Sequence, residues 1–260
     1  MPRFRFAALL LVLFPVVSLS AQTLGEHPVF SRLNSFGVFG EYSNTSGHIL
    51  LGYARQRKLL SFGASYSRRI LLTQRVDLQY LAEARPFLFE SDPVVDATQT
   101  FTSTRTGTQS FQYSYRQVER CRSGVLFSGS GTDPGGGTYT SVTTATCGRR
   151  QWAFGQGLSP AGLKVNLLPH HALQPVFTAL GGYVFSTQPI PVSDAGSFNF
   201  AFVIGAGVEL YRWQQGSAGL FGNRSLRAEY RYHHISNKNT ATENPGIDSG
   251  LVQITYAFGR

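Results

Sequence analysis

The sequence predicts an all-β protein: an antiparallel transmembrane β-barrel of eight strands with one long extracellular loop insertion. Three observations predict it. Runs of about ten residues alternate apolar with polar or small side chains, the pattern of a strand with one face in lipid and the other turned to a wet interior. The composition fits, because the 260 residues include 28 Gly and 13 % aromatics but only 14 % charged residues. Such a chain suits tight turns and aromatic girdles and excludes a helical bundle. Finally, no segment beyond the leader is long and apolar enough for a spanning helix, so an exported chain that enters a membrane does so as a closed barrel.

The leader is read from Met1 to Gln22. Arg3 and Arg5 give its positive end, Ala7 to Val17 its apolar stretch, and Ser18-Leu19-Ser20-Ala21 small residues for cleavage. The expected organisation is a signal peptide over 1–21 and a single barrel domain over 22–260, placed in a bacterial outer membrane. The formal net charge is +9. With no basic helix and no nucleic-acid motif, that charge points to an anionic membrane surface rather than to nucleic acid. The sequence says nothing of oligomeric state.

Residues 23–34 read as an irregular lead. Phe36, Val38, Gly40 and Tyr42 then alternate with Gly37, Phe39 and Glu41, and His48 to Arg55 forms a weaker run. Leu60 to Ser67 and Val76 to Arg85 alternate clearly. Residues 88–150 break the rhythm, being rich in Ser, Thr and Gly, and are expected to form one large surface loop with a small hairpin arm over Phe111 to Val118. Rhythm returns with Gly155 to Leu167, the Phe177–Phe185 run, Phe198 to Leu210, and two last strands ending at Tyr232–Ser236 and Tyr256–Phe258. Of nine candidate runs, a single-chain barrel with both ends on one side uses an even number. Eight follows if one of the first two runs is not a full strand, and ten if part of 111–155 joins the wall.

Cys121 and Cys147 are the only two cysteines. After export an even count points to a disulfide closing the Gly135-Gly136-Gly137 segment, with two free thiols as the alternative. No His stands at ligand spacing to either, so no metal site is expected, and nothing calls for a cofactor.

The unusual stretch is Arg231-Tyr232-His233-His234-Ile235-Ser236-Asn237, with Asp248 following at the start of the last strand. By parity His234 and Ser236 share the apolar face of their strand with Leu226, Tyr230 and Tyr232, and Asp248 shares the apolar face of the next with Val252, Ile254 and Tyr256. If the two strands form a hairpin across 237–247, His234 lies opposite Asp248, with Ser236 two residues along on the same face. That is the arrangement of a Ser–His–acid triad: His takes the proton of Ser, and the acid fixes the tautomer and steadies the imidazolium. Asn237, beside the nucleophile, is the candidate oxyanion donor. The alternative is three polar residues at a rim. His233 faces the interior by parity and reads as part of a lumen network. His170-His171 reads as a solvated turn, and His27 and His48 have no partner visible in the sequence.

His234-Ile235-Ser236-Asn237, followed by Asn244-Pro245-Gly246-Ile247-Asp248 and the terminal strand, resembles the outer-membrane lipid A 3-O-deacylase family of PagL type. The match covers about the last 35 residues, loosely supported by Gly155-Gln156-Gly157-Leu158-Ser159-Pro160. The resemblance implies an eight-stranded barrel with its site facing outer-leaflet lipopolysaccharide, and a carboxylic ester hydrolase acting on the 3-position acyl ester of lipid A without a metal. Where the best-known members carry Glu, this chain has Asp248, shorter by one methylene. The competing expectation is a non-catalytic barrel acting in adhesion through its long loop. A small pore ranks below both, because eight strands leave an interior filled by side chains.

Overall fold

The computed structural model describes residues 29–132, 134–213 and 223–259. The predicted signal peptide and His27 lie outside the described residues. The described residues form ten antiparallel strands: β1 Asn34–Ser43, β2 Lys58–Leu72, β3 Val76–Ser103, β4 Gly107–Arg116, β5 Gly124–Thr132, β6 Thr138–Leu167, β7 Leu173–Ser186, β8 Phe198–Trp213, β9 Asn223–Ser236 and β10 Ile247–Gly259. They are ordered β4-β3-β2-β1-β10-β9-β8-β7-β6-β5, and a further pairing of β3 with β6 closes the sheet on itself. The ring therefore runs β3-β2-β1-β10-β9-β8-β7-β6 and back to β3. β4 and β5 stand outside it, one on each free flank of the prolonged β3–β6 pair.

Residues 88–150 are thus not an irregular loop. β3 and β6 stay paired through the segment, from Val76↔Leu167 to Ser103↔Tyr139 with three register shifts on the way, and β4 and β5 widen the pair into a four-stranded fringe. Nor is Phe111 to Val118 a hairpin of its own, since Phe111 to Arg116 belong to β4, which pairs with β3. Thr and Ser alternating with Phe, Tyr and Val are good strand formers. Without one buried face they give no apolar contrast, and the eye reads them as loop. By contrast, His48 to Arg55 is not a strand; the isolated bridges Ser46↔Ser249 and Ala54↔Ile247 lie at its two ends and help tie this region to β10.

Burial is inverted relative to a water-soluble sandwich. Phe36, Val38, Phe62, Phe177, Ile204, Leu226, Tyr230, Val252 and Ile254 are exposed, while Glu41, Glu83, Arg85, Glu229 and Arg231 are buried inside the ring. Such charges survive burial only when paired and hydrogen-bonded. The guanidinium of Arg231 donates to both Glu83 oxygens at 2.9 Å and to Glu229 at 2.7 Å. Arg85 bridges Glu41 at 2.7 Å and Glu83 at 2.8 Å, and Arg227 reaches Glu229 at 2.8 Å. His233 points into this interior, as its parity predicts. Nearer the site a small apolar cluster of Leu59, Leu88, Ile190, Ile235, Ile247 and Leu251 fills the ring. Among the described residues, charged and apolar side chains thus occupy the interior of the ring.

Because Glu83 faces three guanidinium groups, those of Arg85, Arg227 and Arg231, the Glu83→Ala variant leaves a surplus of buried cations. We expect it to lower stability by roughly 3–5 kcal/mol. Urea unfolding in detergent, followed by tryptophan emission, would measure this, and an unchanged midpoint would contradict the network's role.

Cys121 and Cys147 are joined. The bridge packs with Val95 and Ala145 at the base of the fringe. Beyond it, the Arg149 guanidinium and then the Ser114 hydroxyl hold the exposed Asp96 carboxyl below the usual carboxylate range. Removing a bridge across a sequence separation of 26 relaxes a loop worth roughly 3 kcal/mol of closure entropy. Cys121→Ser with Cys147→Ser should therefore speed amide exchange across 122–146 and leave β9 and β10 protected. Equal loss of protection in the ring would overturn this assignment.

Candidate active site

The site is built on the outward face at one end of β9 and β10. The alternation that sends Arg227, Glu229 and Arg231 inward sends Leu226, Tyr230, Tyr232, His234 and Ser236 outward. The β9–β10 register places Asp248 directly opposite His234, and the β8–β9 register places Phe202 on its other side. His234 Nδ1 lies 2.6 Å from Asp248 Oδ1. An ionised carboxylate only accepts, so Nδ1 carries the hydrogen and Nε2 is left with its lone pair. The Phe202 ring stands 5.2 Å from the imidazole, centroid to centroid. His234 is 8 % exposed and Asp248 fully buried.

Asp248 is held from several directions. Tyr232 Oη donates to Oδ1 at 2.7 Å. The backbone amides of Ile49, Leu50 and Leu51 donate to Oδ2 at 3.2, 2.7 and 2.9 Å. This β1–β2 connection folds down over the outer face of β10, fastened by Tyr53 N to Pro245 O at 2.7 Å and Ala54 N to Gly246 O at 3.1 Å. His48, which has no partner visible in the sequence, bonds Gly52 O at 2.9 Å and stacks on Tyr53. Gly52 permits the close approach: a Cβ there would lie 2.6 Å from Asp248 N and 2.8 Å from its Oδ1. Gly246, at φ 61°, passes against the imidazole, where a Cβ would sit 3.1 Å from His234 Cε1.

Ser236 stands on the same face, as its parity predicts, but its hydroxyl is turned elsewhere. Oγ donates to Asn244 Oδ1 at 2.9 Å and accepts from Lys238 N at 3.2 Å. The structure therefore joins His234 with Asp248, and leaves Ser236 beside them bonded to Asn244.

Asn237 departs from expectation. It follows Ser236 and so faces the opposite way, fully buried, with Nδ2 donating to Glu243 O at 2.6 Å and Oδ1 accepting from Asn239 N at 2.9 Å. Its amide organises the turn and is not aimed at the reacting face. The residue that does face Ser236 is Asn244. Its amide orientation is settled by the Asn237 N–H, which donates to the same Oδ1 at 3.0 Å. Asn244, Tyr232 and the 46–54 segment are the parts of the site that sequence reasoning missed. Of these only Asn244 had a visible signal, the Asn-Pro-Gly turn that leads into Asp248.

Residues 123–257, just over half of the 260-residue chain, match the family model described as lipid A 3-O-deacylase (PagL). The matched span runs from the edge of β5 to the end of β10 and takes in His234, Ser236, Asn244 and Asp248, while the 46–54 segment lies outside it. No curated protein matches the chain. An all-β chain with a closed antiparallel sheet, a His–Asp pair in register on its apolar outer face and this family match belongs to the PagL family of lipid A 3-O-deacylases.

Proposed function

We propose that the protein is an outer-membrane serine esterase that removes an acyl chain from the 3-position of lipid A. In this reading the eight strands of the closed ring form the membrane-spanning barrel, the exposed aromatic and aliphatic side chains meet lipid, and the β4–β3–β6–β5 fringe projects beyond the membrane. The observation that carries the reading is the His234–Asp248 pair, 2.6 Å apart and in register on the apolar outer face with Ser236 two residues along. A hydrolytic site facing outward suits a substrate whose ester already lies in the lipid leaflet.

The chemistry follows from the tautomer. With Asp248 holding the hydrogen on Nδ1, His234 Nε2 is the base. Ser236 must turn from Asn244 toward Nε2, a rotation about one side-chain bond, before it attacks the ester carbonyl. His234 takes the hydroxyl proton and returns it to the departing sugar oxygen. Water then attacks the acyl-enzyme with the same base assisting. The Lys238 amide, which faces Ser236 Oγ at 3.2 Å, is freed by that rotation and is placed to donate to the developing oxyanion, with the Asn244 amide beside it. Asp248 meets the reacting groups only through His234 and acts by orienting it.

Mass spectrometry of lipid A incubated with the purified protein in mixed micelles tests this. The expected result is loss of one hydroxyacyl group from the 3-position, absent with Ser236→Ala. The rival reading, a non-catalytic barrel whose exposed fringe mediates adhesion, draws on the exposed Phe111, Tyr113 and Val125 of β4 and β5. It predicts unaltered lipid A in both samples.

A further inference from the structure

The segment that grips Asp248 carries a second feature with no part in holding the acid. Ile49, Leu50 and Leu51 turn their amides inward to Oδ2, while their side chains, with that of Tyr53, are 49 %, 62 %, 55 % and 55 % exposed. Four large exposed apolar side chains within five consecutive residues are costly in water, at about 25 cal/mol per Å². Their direction is set by the strand they cover. Asp248 shares its face of β10 with Val252, Ile254 and Tyr256, all exposed, so whatever lies on Asp248 stands on the side of the wall that meets lipid. On the far side of His234 the same face carries the exposed Phe200 and the Phe202 ring. The His234–Ser236 pair thus lies between an aromatic wall from β8 and an aliphatic finger from the β1–β2 connection.

We propose that residues 48–53 form a lipid-contacting finger, one wall of an acyl-chain subsite, whose backbone at the same time fixes the acid that orients His234. This rests on the deacylase reading and adds to it the part of the substrate that is recognised: the long hydrocarbon of a membrane-embedded glycolipid. Three backbone N–H groups on one carboxylate oxygen make the acid's position a property of the finger's backbone. The side chains above that backbone are seated only when hydrocarbon surrounds them. Burial of the finger and alignment of Asp248 are therefore coupled, and the enzyme is most competent when its outer face is in lipid.

The two roles separate at one position. Leu50→Ser keeps the amide that donates at 2.7 Å and removes the apolar side chain, whereas Leu50→Pro removes the amide itself. We expect Leu50→Ser to lower kcat/KM for a long-chain ester about tenfold or more, through KM, and to lower that for a soluble short-chain ester far less. Leu50→Pro should lower kcat for both esters about a hundredfold by misplacing the acid and displace the acidic limb of the pH profile. Gly52→Ala serves as a second variant with the same expected signature, because its Cβ would press on Asp248 at 2.6–2.8 Å. An activity-independent reading comes from Leu50→Trp in vesicles containing brominated acyl chains, where strong quenching of the new tryptophan is expected. Absence of quenching overturns the finger whether or not the protein is active. Equal losses on long and short esters in Leu50→Ser overturn the subsite. A wild-type protein inert on both esters, with Leu50→Trp quenched, would sink the deacylase reading and with it the coupling, and leave only the lipid contact.

Discussion

Ser236→Ala is expected to stop fatty-acid release while the closed sheet still assembles. Removing a nucleophile that works as a unit with its base lowers kcat by roughly a million-fold, so the variant should be indistinguishable from no enzyme in a lipid A mass assay. The structural cost is small. Ser236 is a half-buried residue at the end of β9 whose hydroxyl bonds Asn244 and accepts from Lys238 N, and losing a bond of this kind costs about 1 kcal/mol. Asn244 keeps a second donor, the Asn237 N–H at 3.0 Å, so the turn between β9 and β10 should hold. Resistance to heat unfolding in detergent, measured beside activity, separates loss of chemistry from loss of fold. Release of hydroxy fatty acid at a wild-type rate by Ser236→Ala would remove Ser236 as the nucleophile.

The strands of the ring were legible because each has one apolar and one polar face, and the contrast survives in the sequence at period two. Phe198 to Leu210 and Leu226 to Ser236 show it plainly, and the opposition of His234 to Asp248 followed from pairing them across the last hairpin, as observed. The fringe was not legible for the converse physical reason. β4 is exposed along nearly its whole length, so nothing selects apolar residues on one side of it, and a Ser/Thr-rich strand is written like a loop. Two strands beyond the predicted eight came from this blind spot. The site was legible only where it is local. Asp248 meets the Leu50 amide across 198 residues of sequence, and no periodicity within either segment encodes that meeting. Asn237 misled because adjacency in sequence is not adjacency on a face: the residue after an outward Ser points inward, and the residue eight positions later returns to meet it.

Asp248 gives the second large effect, and its two conservative variants should fail for different reasons. Asp248→Asn keeps the shape but introduces a donor where every neighbour already donates. If the new NH2 group faces the amides of Ile49, Leu50 and Leu51, donor meets donor three times over. If it faces His234, the imidazole must offer Nδ1 as an acceptor, and the hydrogen moves to Nε2, the atom needed as the base. Loss of the correct tautomer in a serine-esterase triad costs about 10⁴ in kcat, and a fall of that order is expected here with little change in KM. Asp248→Glu restores the residue carried by the best-known family members, yet this site is closed around the shorter acid. A Cβ on Gly52 would already lie 2.8 Å from Asp248 Oδ1, so an extra methylene must displace either the 48–53 segment or the imidazole. The expected order of activity is Asp, then Glu, then Asn, with Glu partly rescued in a background where the finger is loosened. Exposed Glu243 on the preceding turn cannot take over, since its own backbone is tied to Asp194 O and Asn237 Nδ2. Wild-type turnover by Asp248→Asn would reduce Asp248 to an anchor for the β1–β2 connection. Glu activity at or above the wild-type level would show that the connection yields, and that the amide cradle follows the carboxylate rather than fixing it.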